Sequence, residues 1–447
     1  MASQRTPQLG IAVWGAITFG ALLAAYSAFR PVRDALVLDG DPDQIPWLFS
    51  ATFVAVSVVS PIWSWIVGKG DRRRLIPLAF HAFALCALGF YALVAANVAP
   101  VTVGRVFYVW SSVFNLFVVS VFWSLLADLL GPDLARNLYG PIAAGGTIGT
   151  VAGPALTRAL VGTIGVSGIL LVSAVLLELA VIGVHFVRRA GEQLGAPRST
   201  ETVEPGDGGG AFAGLAHVVR SPYLRTIVGY VLCTSIAATL VYLEQAKITK
   251  VALADRVART EWFAELDLWV AGVTFVVQTL VAARLLRWLG PGLVLCALPL
   301  AQAIGISTLA LAPSLTAVFC VQLAARSATH GLTRPARELL FTVVGADDKY
   351  RAKNAIDTVA YRFGDFSSAW LYKGLAAIGA GSTILISAAA PLCAVWLAFA
   401  AVLGAGFRRR TTSSKGVPCS IADASSSDPS PPASPLPVAR ARIVPPP

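Results

Sequence analysis

Charge is scarce in this sequence: Asp, Glu, Lys and Arg together make up 13% of its 447 residues. A soluble domain uses about 25%. With 56% hydrophobic residues and a mean hydropathy of +0.70, the chain has too little polar surface to face water, so a water-soluble fold is excluded. Histidine is also scarce, with four scattered copies. The six cysteines (Cys86, Cys233, Cys296, Cys320, Cys393, Cys419) lie far apart, and no C-x-x-C occurs. That spacing argues against a bound metal and against a disulfide framework. No G-x-x-x-x-G-K-[ST] is present, which excludes a P-loop ATPase. No nucleophile–base pair stands out either, so the chain reads as a non-enzyme without a cofactor. The net charge of +11 sits in short basic clusters between apolar runs. That pattern orients a membrane protein in lipid and gives no reason to expect a nucleic-acid partner.

What is present is a series of apolar runs long enough to cross a bilayer, about 20 residues each. The N-terminal six span about 11–29, 47–67, 75–98, 103–130, 138–160 and 166–187. The C-terminal six span about 225–247, 266–288, 292–312, 315–344, 354–378 and 382–406. The first run has little basic charge before it and no evident cleavage site, so it reads as a retained helix. The expected organisation is an all-α integral membrane protein of about twelve helices. A six-helix bundle over 1–187 and a polar Gly/Pro-rich cytoplasmic linker over 188–222 come first. A second six-helix bundle over 223–407 and a disordered Ser/Pro-rich tail over 408–447 complete the chain. With the N-terminus inside, the inner segments carry more than twice as many Lys and Arg as the outer ones. Both termini are therefore expected in the cytoplasm, in a bacterial inner membrane, with a monomer as the unit.

Two six-helix halves resemble the major facilitator architecture, in which the halves enclose a substrate site at mid-depth. GKGDRRRL (Gly68–Leu75) is a loose version of that superfamily's loop signature. A charge inside a span is costly unless it meets a cavity or a partner, so each is a functional candidate. FRPVRDAL places Arg30, Arg33 and Asp34 around Pro31, which is expected to break helix one. The group is either an interfacial anchor or a substrate-facing basic pair. Helix ten carries Arg326, Arg334, Arg337 and Glu338. On a straight helix Arg326 and Arg337 differ by about 20° and Arg334 lies about 80° away, one broad sector that cannot face lipid. Arginine grips phosphate through a fork of donors, so the sector suits a polyanion or, alternatively, a structural ion-pair network. Lys353, Asp357, Arg362 and Asp365 continue from a gate loop into helix eleven. Asp128, Glu244 and Lys247 are further gate or charge-pair candidates. In helix five, Gly140, Gly145, Gly149, Gly153 and Pro154 form a small-residue stripe for close helix packing. Its spacing also resembles an antiporter signature.

FRPVRDALVL, SVFWSLLADL, TRPARELLFTVV and RAKNAIDTVAYRFGD together resemble the ATP/ADP antiporters of plastids and intracellular bacteria and their free-living relatives. By that match Arg33, Glu338, Lys353 and Asp357 take the places of family motif residues. The resemblance implies a facilitator fold and exchange of nucleotides down opposing gradients. The uncharged run WSSVFN stands where the family has an acid early in helix four, and Asp365 where it has a lysine. The substrate is therefore left among nucleotides and other phosphorylated or anionic metabolites. A proton-coupled exporter of another solute and a non-transporting scaffold remain open alternatives.

Overall fold

The computed structural model describes residues 2–69, 72–194, 218–345, 352–353, 356, 360–378 and 389–415. Every element in them is helical. The N-terminal half comprises α1 (Ala2–Val37), α2 (Ile45–Lys69), α3 (Arg72–Ala95), α4 (Pro100–Leu129) and α5 (Pro132–Gln193). The C-terminal half comprises α6 (Pro222–Ala252), α7 (Arg256–Val276), α8 (Ala283–Leu311), α9 (Leu315–Ala328), α10 (Arg334–Leu340), α11 (Tyr361–Ala377) and α12 (Ala389–Lys415).

A straight helix of 62 residues would reach about 93 Å, three times a bilayer core. Instead, α5 breaks at Gly165, whose φ of 72° and ψ of 174° lie in a region essentially reserved for glycine. The contacts of α1 show that the two arms run in opposite directions. Rising along α1, the backbone of Ala16, Gly20 and Ala24 meets Gly145, Gly149 and Gly153 in turn. Gly10, Trp14 and Thr18 meet Ala190, Phe186 and Gly183, in falling order. Gly290 (φ 73°, ψ 167°) breaks α8 in the same way, just after its first turns. Eight helical stretches are long and apolar enough to cross a membrane, and the two longest contain these breaks. Counting both arms of each, and adding α9–α10 and α11, gives the twelve crossings.

Two separate cores confirm the two bundles. One runs from Ile11 to Ala190 around an aromatic cluster that includes Phe29, Phe107 and Phe114; the other runs from Val218 to Leu403 around the fully buried Trp396. Apolar side chains such as Leu85, Ile148 and Trp288 stay uncovered on the outside, where lipid covers them.

Three expectations need correction. Helix one does not stop at Pro31 but runs on to Val37. A single proline deletes only one backbone donor, which a membrane helix tolerates. Arg30, Arg33 and Asp34 therefore ride on the helix itself. The sixth span does not end at 187, because α5 continues to Gln193. Arg188, Arg189, Ala190, Glu192 and Gln193 are good helix formers; Ala190 packs into the core, while Arg189, Glu192 and Gln193 are exposed. Helix ten, finally, is not straight. A π turn over Thr329–Thr333 separates α9 from α10. Pro335 has no N–H for the Gly331 carbonyl, and the wider turn absorbs the mismatch. The extra residue in that turn sets the downstream helix back by about 100°, so Arg334 comes to within about 20° of Arg326 while Arg337 moves to about 80° on the other side.

Candidate functional site

Between the halves lies a cavity of about 330 Å³. Its N-terminal wall includes Tyr26, Arg30, Arg33 and Asp34 of α1, Phe49 and Thr52 of α2, and Tyr108 and Asn115 of α4. Its C-terminal wall includes Tyr242 and Gln245 of α6, Gln302 of α8, Gln322 and Arg326 of α9, His330 of the π turn, and Arg362 and Asp365 of α11. A second chamber of about 380 Å³ shares Thr234, Thr329, His330, Tyr361, Arg362 and Asp365 with the first, and adds Arg334 and Arg337. From Arg326 to Arg337 is eleven residues, roughly 16 Å along the helix. The chambers thus extend from mid-depth toward the face that carries the chain termini.

Two arginines of the cavity wall, from opposite halves, share one carboxylate. Asp267 of α7 meets Arg326 Nη2 at 2.6 Å through Oδ1 and Arg30 Nε at 3.7 Å through Oδ2. The Asp267 side chain is only 8% exposed, so little water screens the triad, and one positive charge stays uncompensated within it. Arg33, by contrast, is matched by its neighbour: Nη2 and Nε lie 2.7 and 2.9 Å from Asp34 Oδ1. Tyr242 donates its hydroxyl to the same oxygen at 3.3 Å, and the Arg33 guanidinium lies over the Tyr108 ring at 5.0 Å. Asp365 accepts a hydrogen bond from Ser235 Oγ. Arg337 is buried, with its guanidinium 5.6 Å from the Tyr361 ring centre. Arg334 is exposed within the second chamber. The lining arginines outnumber the acids, and among the described residues the cavity wall carries no lysine.

The remaining candidates lie elsewhere. Glu338 pairs with Lys353 at 2.6 Å near the termini face, away from the cavity lining. Asp128 is half-buried on α4 and does not line either chamber. Asp357 falls outside the described residues. Glu244 accepts from the Tyr372 hydroxyl at 2.5 Å. Lys247 lies over the same ring at 5.0 Å and reaches Asp43 at 3.3 Å. Gly145, Gly149 and Gly153 bring α5 against the α1 backbone, Pro154 is buried beside them, and Gly140 faces open space.

The opposite face is sealed. The loop after α1 presents Asp39 and Asp43 to the basic end of α6 and start of α7. Asp39 lies 2.8 Å from Arg256 and 3.4 Å from Arg259; Lys250 donates to the Gly40 carbonyl at 2.6 Å. Below this lie Trp370 Nε1 donating to Ser50 Oγ at 2.8 Å, Trp47 edge-on to Trp370, and Phe53 stacked on Phe366. An apolar cluster joining Val37, Leu38 and Leu48 to Leu243, Phe263 and Tyr372 completes the seal. Sequence reasoning misses this latch and does not place Asp267 among the site residues. It also misses the lining tyrosines and glutamines. A signal for the latch is present: DGDPDQ and the Lys247–Arg259 stretch are oppositely charged and lie on the same side of the membrane. Among the described residues no His/Cys/Asp/Glu group is arranged to hold a metal ion.

A family model described as Major Facilitator Superfamily matches residues 9–342. No curated protein gives a significant match to the sequence. Among solved structures, the chain is similar to the nucleoside transporter NupG, with 13% identity and a TM-score of 0.58, covering 91% of this chain and 99% of that one. It is similar as well to a bacterial homologue of the iron transporter ferroportin in its inward-facing state, with 12% identity, a TM-score of 0.59 and coverage of 91% and 99%. A POT family transporter aligns over 89% of this chain and 96% of its own at 10% identity, with a TM-score of 0.58.

Proposed function

The chain belongs to the major facilitator superfamily, and on that footing we propose that it is a secondary-active exchanger of an anionic metabolite, with nucleotides as the first candidates. It sits in a bacterial inner membrane with both termini in the cytoplasm, so the open face of the cavity is cytoplasmic. The observation that carries this reading is the Arg30–Asp267–Arg326 triad. Two guanidiniums from opposite halves hold one carboxylate, so an entering anion finds donors from both bundles and a shortfall of negative charge. Arg334, Arg337 and Arg362 extend the positive field along the route to the cytoplasm. Low-dielectric walls strengthen that field well beyond its value in water.

Alternating access then amounts to rocking the halves about the bound anion. Substrate in the cavity competes with Asp267 for the arginines and loosens a cross-half pair. The outer latch around Asp39 and Asp43 opens as the cytoplasmic ends close. An empty carrier keeps the triad intact, so its reorientation is slow and transport runs as exchange.

Liposomes containing the purified protein test this. Labelled ATP or ADP enters faster when the vesicles are preloaded with unlabelled nucleotide. Equal uptake by loaded and empty vesicles, or none, counts against exchange. A proton-coupled reading draws on one observation: Asp365 faces both chambers and its hydrogen-bond partner is the neutral Ser235 hydroxyl. Under that reading a protonophore collapses transport, and Asp365→Asn abolishes its pH dependence.

A further inference from the structure

Three glutamine side chains line the cavity from three different helices of the C-terminal half: Gln245 of α6, Gln302 of α8 and Gln322 of α9. They are 4%, 3% and 7% exposed. Gln322 donates its amide to the Gln245 carbonyl, and the buried Gln302 Oε1 has no hydrogen-bond partner among the described residues. A carboxamide offers two donors and two acceptor lone pairs, so one bond between two of the three leaves most of this capacity unused. Buried polar groups are normally satisfied, and an exception asks for an explanation. Gln322 lies four residues before Arg326 on α9 and on the same face, about 6 Å nearer the sealed end. The cavity is thus cationic at Arg326 and neutral but hydrogen-bonding one turn further in.

We infer that Gln245, Gln302 and Gln322 form a subsite for an uncharged carboxamide-like edge of the substrate, an N–H beside a C=O, lying about one helical turn from its anionic group. The inference rests on the anion reading above and sharpens its substrate class. Arginines recognise the charge that all candidate anions share, whereas amides discriminate by the pattern of donors and acceptors. A site that hydrogen-bonds a polar group rejects an analogue lacking it, because its own buried groups are then left unpaired.

Three ligands separate the contributions in binding measurements on the purified full-length protein. Uridine 5′-monophosphate carries a phosphate and a lactam edge, its N3-methyl derivative has lost the N–H, and ribose 5-phosphate has no base at all. The subsite predicts that the uridine compound binds at least about tenfold tighter than either of the others. In Gln302→Met and in Gln322→Met, which preserve side-chain volume, the preference shrinks toward unity, with the loss confined to the base-bearing ligand. Retained binding of ribose 5-phosphate certifies that each variant is folded. Ribose 5-phosphate binding as tightly as the uridine compound in the wild type, or an undiminished preference in both variants, overturns the subsite alone. If no phosphate compound binds, or binding ignores Arg326→Gln, the anion reading fails and the subsite falls with it.

Discussion

Asp39 holds two arginines of the opposite half, and Asp39→Asn removes its charge with little change of shape. Arg259 is 6% exposed, and its Nε is bound to the Leu253 carbonyl at 2.7 Å. It therefore stays in place when its counter-ion is lost and keeps a poorly solvated charge. Breaking a fully buried pair costs about 3–5 kcal/mol, and an exposed pair contributes about 0–1 kcal/mol. The Asp39 side chain is 12% exposed, but Arg256 is 31% exposed, and its close contact lacks hydrogen-bond alignment. An intermediate value of about 2 kcal/mol results for the latched state, or about a 30-fold larger unlatched population. Thr52 reports it, being buried in the cavity wall roughly 10 Å below the latch. In a cysteine-free background, Thr52→Cys is alkylated by a membrane-impermeant maleimide applied from the face opposite the termini. Adding Asp39→Asn raises the rate by about 30-fold, and the response to salt shrinks because the screened pair is gone. An unchanged rate would refute the assignment of Asp39 to the latch.

The packing and the triad each carry an expected outcome. Gly149→Leu drives a side chain into the backbone at Gly20 and should lower the melting temperature and the folded yield, with overpacking costing about 1–3 kcal/mol or more. Gly140→Ala, facing open space, is the silent control; equal effects of the two would contradict the α1–α5 contact. Asp267→Asn leaves Arg30 and Arg326 without their shared carboxylate. The ligand-free protein should melt earlier than wild type, and added nucleotide should raise its melting temperature by more. A smaller ligand-induced rise than in wild type would contradict competition between the anion and Asp267.

Much of the fold is legible in the sequence because lipid enforces a simple rule: about 20 apolar residues per crossing, with positive charge between them. The helix-five glycine stripe is legible for a related reason, since repeats of small residues serve mainly to bring backbones together. Local hydropathy misjudges features that depend on neighbours. It ends helix one at Pro31, although Ala28, Phe29 and Val32 are fully buried and hold the helix through the proline. It treats helix ten as straight, although the π turn before Pro335 sets Arg334 nearly in line with Arg326 and turns Arg337 away. The sequence does not single out Asp267 as a site residue because its two arginine partners lie about 60 and 240 residues away, and no spacing rule reaches that far. The glutamines are invisible for a different reason. A neutral amide in an apolar run is unremarkable until three helices bring three of them to one cavity.

The most direct test of the account is exchange by the wild type and by Arg326→Gln, reconstituted at equal folded density in liposomes loaded with ADP. Labelled ADP supplied outside should enter loaded wild-type vesicles well above the empty-vesicle rate. The variant should lose at least about 30-fold of that flux, since truncating one partner of a buried charge pair costs about 2–5 kcal/mol. Equal flux through both proteins would contradict the claim that an arginine pair across the cavity carries an anion. So would wild-type uptake that ignores what the vesicles contain.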